Sequence, residues 1–285
     1  MENNSSRVIA LLIDAENVSP KYIKIILDEV SLYGTPAYKR IYGDWSSSEM
    51  SSWKKVLLEH NITPIQQFSY TQGKNATDSS MIIDAMDILY AKNVDGFCLV
   101  SSDSDFTRLA ARLRESRMFV IGMGESKTPT AFKAACDTFK YLDVLMNLKA
   151  PAPEAPRRQE KPEKAEKPAQ NAKKQTPGKA RSKKQEKPLA PPAPEPAPAP
   201  DPKEAFVPLE EIIARVHELI EHDSDEDGYM PLSQIGVVLS RLYADFDSRN
   251  YGFSRLHRLI DSTQQFETKY ERFGHGGKNL MVRNK

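Results

Sequence analysis

Val8-Ile9-Ala10-Leu11-Leu12-Ile13-Asp14-Ala15-Glu16-Asn17 runs six apolar residues directly into an acid. An unbroken Val/Ile/Leu run of this kind marks a strand buried on both faces, as in a parallel sheet covered by helices, and Asp14 falls where that strand leaves the sheet. Two more segments repeat the arrangement. Ser101-Ser102-Asp103-Ser104-Asp105-Phe106 follows the apolar run at 96–101, and Asn75-Ala76-Thr77-Asp78 stands beside an apolar helical pattern. In an open α/β sheet, residues just past the strands converge on one edge. Carboxylate oxygens are the hard ligands that Mg²⁺ and Mn²⁺ prefer, and these ions polarise phosphodiesters and lower the pKa of water. The pattern points to a metal-dependent nuclease.

Outward from the first run, strand and helix patterns alternate. Strands are expected at 8–13, 37–42, 63–68, 96–101 and 118–123, with helices at 20–33, 47–60, 77–92 and 105–115 and a last one near 130–139. The fold class is therefore α/β, a mostly parallel sheet with helices on both faces. Ligands of such sheets bind at the carboxyl ends of the strands, where Asp14 and Asp103 both lie.

Each acid also has a local explanation. Asp78, with Asn75 and Thr77, suits the N-cap of its helix, and Asp105 suits the start of the next. Four separate local explanations fit less well than one shared site, because clustered acids repel unless a cation or raised pKa values relieve them. Asn17 is placed to hold a phosphate or a water. Asp84 and Asp87 lie further along the Asp78 helix and, at about 100° per residue, point away from it, which suits supporting or surface roles. His60 is expected to be structural or exposed.

Other chemistries lack their residues. No Gly-x-Gly-x-x-Gly follows the first strand and no Gly-Lys-Ser/Thr phosphate loop occurs. Asp14-x-Glu16 is not an Asp-x-Asp phosphatase motif, and no Gly-x-Ser-x-Gly elbow supports acyl transfer.

The 285 residues, 39% of them hydrophobic, exceed one typical domain, and the net charge of +1 neither demands nor excludes a nucleic-acid partner. Cys98 and Cys136 form neither a disulfide framework nor a zinc set and read as small core residues of a reducing compartment. The first six residues lack the features of a signal peptide, and no apolar run reaches the roughly 18 residues of a membrane helix. A cytoplasmic protein without membrane contact is expected. Near Ala150 the composition changes: 150–205 holds 14 of the 20 prolines, with Lys, Glu and Ala between them. Such a stretch cannot offset the entropy of ordering and is expected to be a disordered linker between domains at 1–149 and 206–285. Its basic run at 173–187 suits either nonspecific phosphate affinity or a soluble spacer.

The quoted motifs, with Lys39-Arg40-Ile41-Tyr42-Gly43-Asp44-Trp45, resemble the NYN family of PIN-like ribonucleases over about residues 7–145. The resemblance implies a Rossmann-like fold whose acids bind Mg²⁺ or Mn²⁺ for RNA cleavage. Asp14, Asn17, Asp78, Asp103 and Asp105 match its motif positions, with Asp14, Asp78, Asp103 and Asp105 as metal ligands. Ser102 departs from the family's frequent glycine. Lys39, Arg40, Lys74 and Arg108 are candidates for gripping flanking phosphates, each with a solvated charge as its plainer explanation.

Beyond the linker, Leu209, Ile212, Ile213, Val216, Leu219 and Ile220 trace an amphipathic helix. Helices are expected from about 230 and at 253–260, and 266–270 with 280–282 reads as a β-hairpin wing around Gly274 to Gly277. Helices followed by a wing make a small winged-helix α+β domain. Asp247-Ser248-Arg249-Asn250-Tyr251-Gly252-Phe253-Ser254-Arg255-Leu256 is similar to the OST-HTH, or LOTUS, domain, which implies RNA binding and, in some members, protein partners. Arg249, Arg255, His257, Arg258, Lys269, Arg272, Lys278 and Arg283 are the basic candidates, and Tyr251 or Phe253 would stack on a base or pack in the core. A domain that cuts, tethered to one that captures RNA, is the combined expectation. A noncatalytic RNA-binding scaffold and a DNA nuclease are the alternatives.

Overall fold

The computed structural model describes residues 7–67, 76–149, 206–272 and 278–285. The expected linker at 150–205 and the tip of the wing lie outside the described residues.

Six strands form one parallel sheet. They are β1 (Val8–Asp14), β2 (Thr35–Gly43), β3 (Thr63–Gln66), β4 (Gly96–Val100), β5 (Phe119–Gly124) and β6 (Thr138–Tyr141). Their order, β3-β2-β1-β4-β5-β6, reverses direction of winding between β1 and β4. Such a reversal opens a crevice at the carboxyl ends of the two central strands.

Both faces of β1 are buried because helices cover both sides. Ile9, Leu11 and Ile13 pack with α1 (Ile23–Val30), α2 (Ser51–His60) and α6 (Leu142–Lys149). Ala10 and Leu12 pack with α3 (Ala76–Ala91), α4 (Thr107–Glu115) and α5 (Thr130–Ala135). Asp14 continues the alternation of Ala10 and Leu12, so it belongs to the α3 and α4 face.

The last expected helix divides. It stops at Ala135, Cys136 turns to an extended conformation, and Thr138-Phe139-Lys140-Tyr141 becomes β6, paired with β5 from Ile121↔Thr138 onward. Tertiary pairing decides this segment: Phe139 is fully buried and Asp137 caps the junction by accepting from the Val120 N–H at 2.8 Å. The helix α6 that follows was not in the sequence expectation.

The C-terminal domain packs α7 (Leu209–Asp223), α8 (Leu232–Leu242) and α9 (Leu256–Thr263) around Ile212, Val216, Ile235, Leu239 and Leu259. A three-stranded antiparallel sheet of β7 (Met230–Pro231), β9 (Lys278–Asn284) and β8 (Phe266–Arg272) completes it. Met230-Pro231, expected to open a helix, pairs with β9 instead. Among the described residues no helix is long and apolar enough to cross a membrane.

Candidate functional site

The register of β1 and β4 places the carboxyl ends of these strands side by side. Ile13 pairs with Val100, so the next residues, Asp14 and Ser101, leave the sheet side by side. Asp14 is 1% exposed, a burial that a carboxylate tolerates only with full hydrogen bonding. It has that bonding. Oδ1 accepts from the Glu16 N–H at 3.1 Å and the Asn17 N–H at 3.3 Å, while Oδ2 accepts from Asn17 Nδ2 and Ser101 Oγ, each at 2.8 Å.

Ser101 is the connecting residue, and it is fully buried. Its hydroxyl donates to Asp14 and accepts from the Asp103 N–H at 3.0 Å, so one oxygen fixes both acidic turns. Asp103 then caps the short 3-10 turn at 104–106 by accepting from the Asp105 N–H at 2.9 Å. That capping uses Oδ1 alone; among the described residues Oδ2 accepts no hydrogen bond. Asp105 and Asn17 are exposed at the rim. The sequence carried a signal for Ser101: a small hydroxyl residue directly after an apolar strand, which the register then sets level with Asp14.

Asp78 lies in the first turn of α3, as expected, but its side chain lies outside the described residues, as does Lys74. Among the described residues no group of three His, Cys, Asp or Glu side chains stands close enough to hold a metal ion.

The acidic edge extends past the predicted residues. Glu125, after β5, accepts from the Tyr22 hydroxyl at 3.1 Å and pairs with Lys127 at 3.0 Å. Burial pushes its carboxyl up, but the Lys127 and Tyr22 contacts outweigh this and hold it below the usual range. Burial and Glu125 together push the Tyr22 phenol up to about 12. Gly124 is required beside the site: a Cβ there would lie 2.7 Å from the Ser101 carbonyl oxygen and 2.6 Å from Thr128 Oγ1.

The basic candidates separate. Arg40 pairs with Asp84, which also accepts from the buried Tyr42 hydroxyl, so the Arg40-Tyr42-Asp84 cluster ties β2 to α3. Lys39 donates to the His60 carbonyl at 2.8 Å. Arg108 is exposed at the start of α4. In the C-terminal domain Arg255, Arg258, Arg272 and Lys278 are exposed, whereas Lys269 and Arg283 lie over the Tyr229 ring at 3.7 and 4.8 Å. Arg249 is committed to Glu29 and Asp247, and Tyr251 donates to the Val207 carbonyl while packing beside Phe206. Its ring serves the core rather than a base.

Two family models match the chain: the NYN domain over residues 8–143 and the OST-HTH/LOTUS domain over residues 208–277. No curated protein matches it. Among solved structures, a crystal structure of a protein of unknown function from Vibrio parahaemolyticus is 18% identical, with a TM-score of 0.42, covering 50% of this chain and 96% of that one.

Proposed function

For a chain that joins an NYN domain, of a nuclease family, to an OST-HTH/LOTUS domain, of an RNA-binding family, we propose metal-dependent ribonuclease activity, with the second domain capturing the RNA that the first cuts. The observation that carries the reading is the buried Asp14 carboxylate at the switch point of the sheet, joined through Ser101 to the Asp103 turn.

Asp14, Asp103, Asp105 and Asp78 are the residues that would hold Mg²⁺ or Mn²⁺. Their chemistry fits, since all are hard oxygen donors and NYN domains are generally dependent on divalent metals. A bound ion of this kind supplies Lewis-acid polarisation of the phosphodiester and lowers the pKa of water. The fit sets one condition. Asp14 already accepts four hydrogen bonds, the capacity of a carboxylate, so a direct ligand role requires one donor to withdraw. Asn17 Nδ2 is that donor, because its side chain is exposed while the two N–H groups and Ser101 are fixed by backbone and burial.

The protein's own groups then divide the work. Ser101 and the two backbone N–H groups orient Asp14; Asp103 offers Oδ2; Asp105 and Asn17 stand at the rim, where a substrate phosphate would arrive. Arg255, Arg258, Arg272 and Lys278 supply exposed cations for the RNA backbone in the OST-HTH domain.

Cleavage of labelled single-stranded and structured RNA with Mn²⁺, Mg²⁺ or EDTA tests the reading, with Asp103→Asn prepared identically. Asp103 is the better test residue because it is less buried than Asp14 and its replacement disturbs the fold less. Cutting that depends on metal and disappears in the variant is expected. RNA binding without cutting would establish the scaffold alternative, and equal cutting of matched DNA would overturn the ribonuclease assignment.

A further inference from the structure

Three charged residues of the NYN domain are buried: Glu29 on α1 at 4% exposure, Lys133 on α5 at 7% and Lys140 on β6 at 7%. Lys140 belongs to β6, the edge strand. Buried charges persist only with partners, and an edge strand carries unpaired backbone groups. In this chain the OST-HTH domain supplies both. Arg249 grips Glu29 with two parallel hydrogen bonds, Nη1 to Oε1 at 2.6 Å and Nη2 to Oε2 at 2.9 Å. Asp247 accepts from Lys140 Nζ at 2.6 Å and from Arg249 Nη2 at 2.7 Å. Asp245 accepts from the Tyr141 hydroxyl at 2.6 Å, with Lys133 Nζ 3.9 Å away. The Phe139 N–H of β6 donates to the Ala244 carbonyl at 2.8 Å, which satisfies one backbone group of the sheet edge.

The signs are crossed. The NYN side offers one acid and two bases, and the OST-HTH side offers one base and two acids in matching places, so a shifted register would set like charges together. Phe206 adds an apolar anchor, packing on the NYN core with its ring 5.9 Å from Tyr141 and 5.6 Å from Tyr251.

We propose that residues 244–251, together with Phe206, are a docking element for the NYN sheet edge, so that the two domains of one chain work as a single rigid body whose association does not need the covalent connection through 150–205. The stretch that looked most like an RNA-contact motif is, on this proposal, mainly an intramolecular interface. If the ribonuclease reading also holds, docking fixes the offset between captured RNA and the cutting residues. The docking stands without that reading, because its test uses no RNA.

The test places a site-specific protease sequence within residues 160–195 of the full chain, cuts it, and measures association of the halves by size-exclusion chromatography with light scattering and by sedimentation. The intact chain is expected to be a monomer, and the cut halves are expected to stay together as a 1:1 complex at about 10 µM. Truncating one partner of a buried hydrogen-bonded charge pair costs about 2 kcal/mol or more. At 1.4 kcal/mol per tenfold, Glu29→Gln and Arg249→Gln should each weaken association by about 30-fold or more. Phe206→Ala should weaken it independently of charge. Lys24→Gln, an exposed change on the same helix as Glu29, should leave it unchanged. Circular dichroism of each half checks that the variants fold. Halves that separate when unmodified, Gln variants that bind as tightly as Lys24→Gln, or an intact chain that is a dimer docked in trans would each overturn the proposal.

Discussion

Replacing Ser101 by alanine removes one oxygen atom and two hydrogen bonds from the floor of the candidate site. The lost donor faces Asp14 Oδ2 at 2.8 Å, and the lost acceptor faces the Asp103 N–H at 3.0 Å. Ser101 is fully buried and Asp14 is 1% exposed, so water has no ready access to replace either bond. A hydrogen bond to a buried charge contributes about 1.5–3 kcal/mol, and the neutral bond to the backbone contributes about 1 kcal/mol. The expected loss is therefore about 2–4 kcal/mol. At roughly 2–4 °C per kcal/mol for a domain of this size, the melting temperature should fall by roughly 4–16 °C. Ser102→Ala is the matched comparison. Its hydroxyl accepts from the Glu125 N–H at 2.9 Å at a partly exposed position where water can substitute, so its cost should stay below about 1 kcal/mol. Thermal and denaturant unfolding of the two variants side by side measures the difference. If Ser101→Ala costs no more than Ser102→Ala, the idea that one buried hydroxyl holds both acidic turns fails.

Other perturbations separate structural from functional charge. Asn17→Asp sets a second carboxylate 2.8 Å from the Asp14 position and should destabilise the metal-free protein by about 1–2 kcal/mol, with Mn²⁺ restoring the melting temperature; no response to Mn²⁺ would count against a cation between these residues. Gly124→Ala forces a Cβ to within 2.7 Å of the Ser101 carbonyl and should cost about 1–3 kcal/mol in urea unfolding. Arg255→Ala or Arg258→Ala should each flatten the salt dependence of RNA binding by about one unit of slope, whereas Arg249→Ala should leave the slope unchanged, as filter binding across a salt series would reveal. Burial alone would raise the Asp247 carboxyl, but Arg249 and Lys140 outweigh it and hold it well below the usual range. A carboxyl lowered in the folded state contributes stability that is complete above its unfolded value and lost as pH falls toward its folded one, so association of the cut halves should weaken below about pH 4 and hold from pH 5 to 8.

Much of the nuclease-like half was legible because its signals are local. The apolar run into Asp14 announces a strand covered on both faces, and the Leu109-Ala110-Leu113 spacing marks the buried side of α4. Asp14 and Asp103 stood out in the sequence because Asp14 ends one such strand and Asp103 lies in the turn just after another. Thr138-Phe139, read as the end of the last helix, opens β6: a helical period and a four-residue strand are nearly indistinguishable at that length, and pairing with β5 settled it. Arg249 was counted among the RNA-facing bases, and Tyr251 was left between stacking and core packing, because sequence shows charge and aromaticity but not what they face.

Residue order alone therefore determined the parallel α/β class, the carboxyl-end position of the acids, the winged-helix character of residues 206–285 and the two family resemblances, since periodicity and motif spacing are properties of neighbours along the chain. Only the tertiary structure decided that Ser101 bridges two acidic turns, that Arg40 belongs to Asp84, and that Arg249 closes on Glu29, 220 residues away. These are contacts between distant segments, fixed by strand register and by the cost of burying an unpaired charge, and neither quantity exists until the chain has folded.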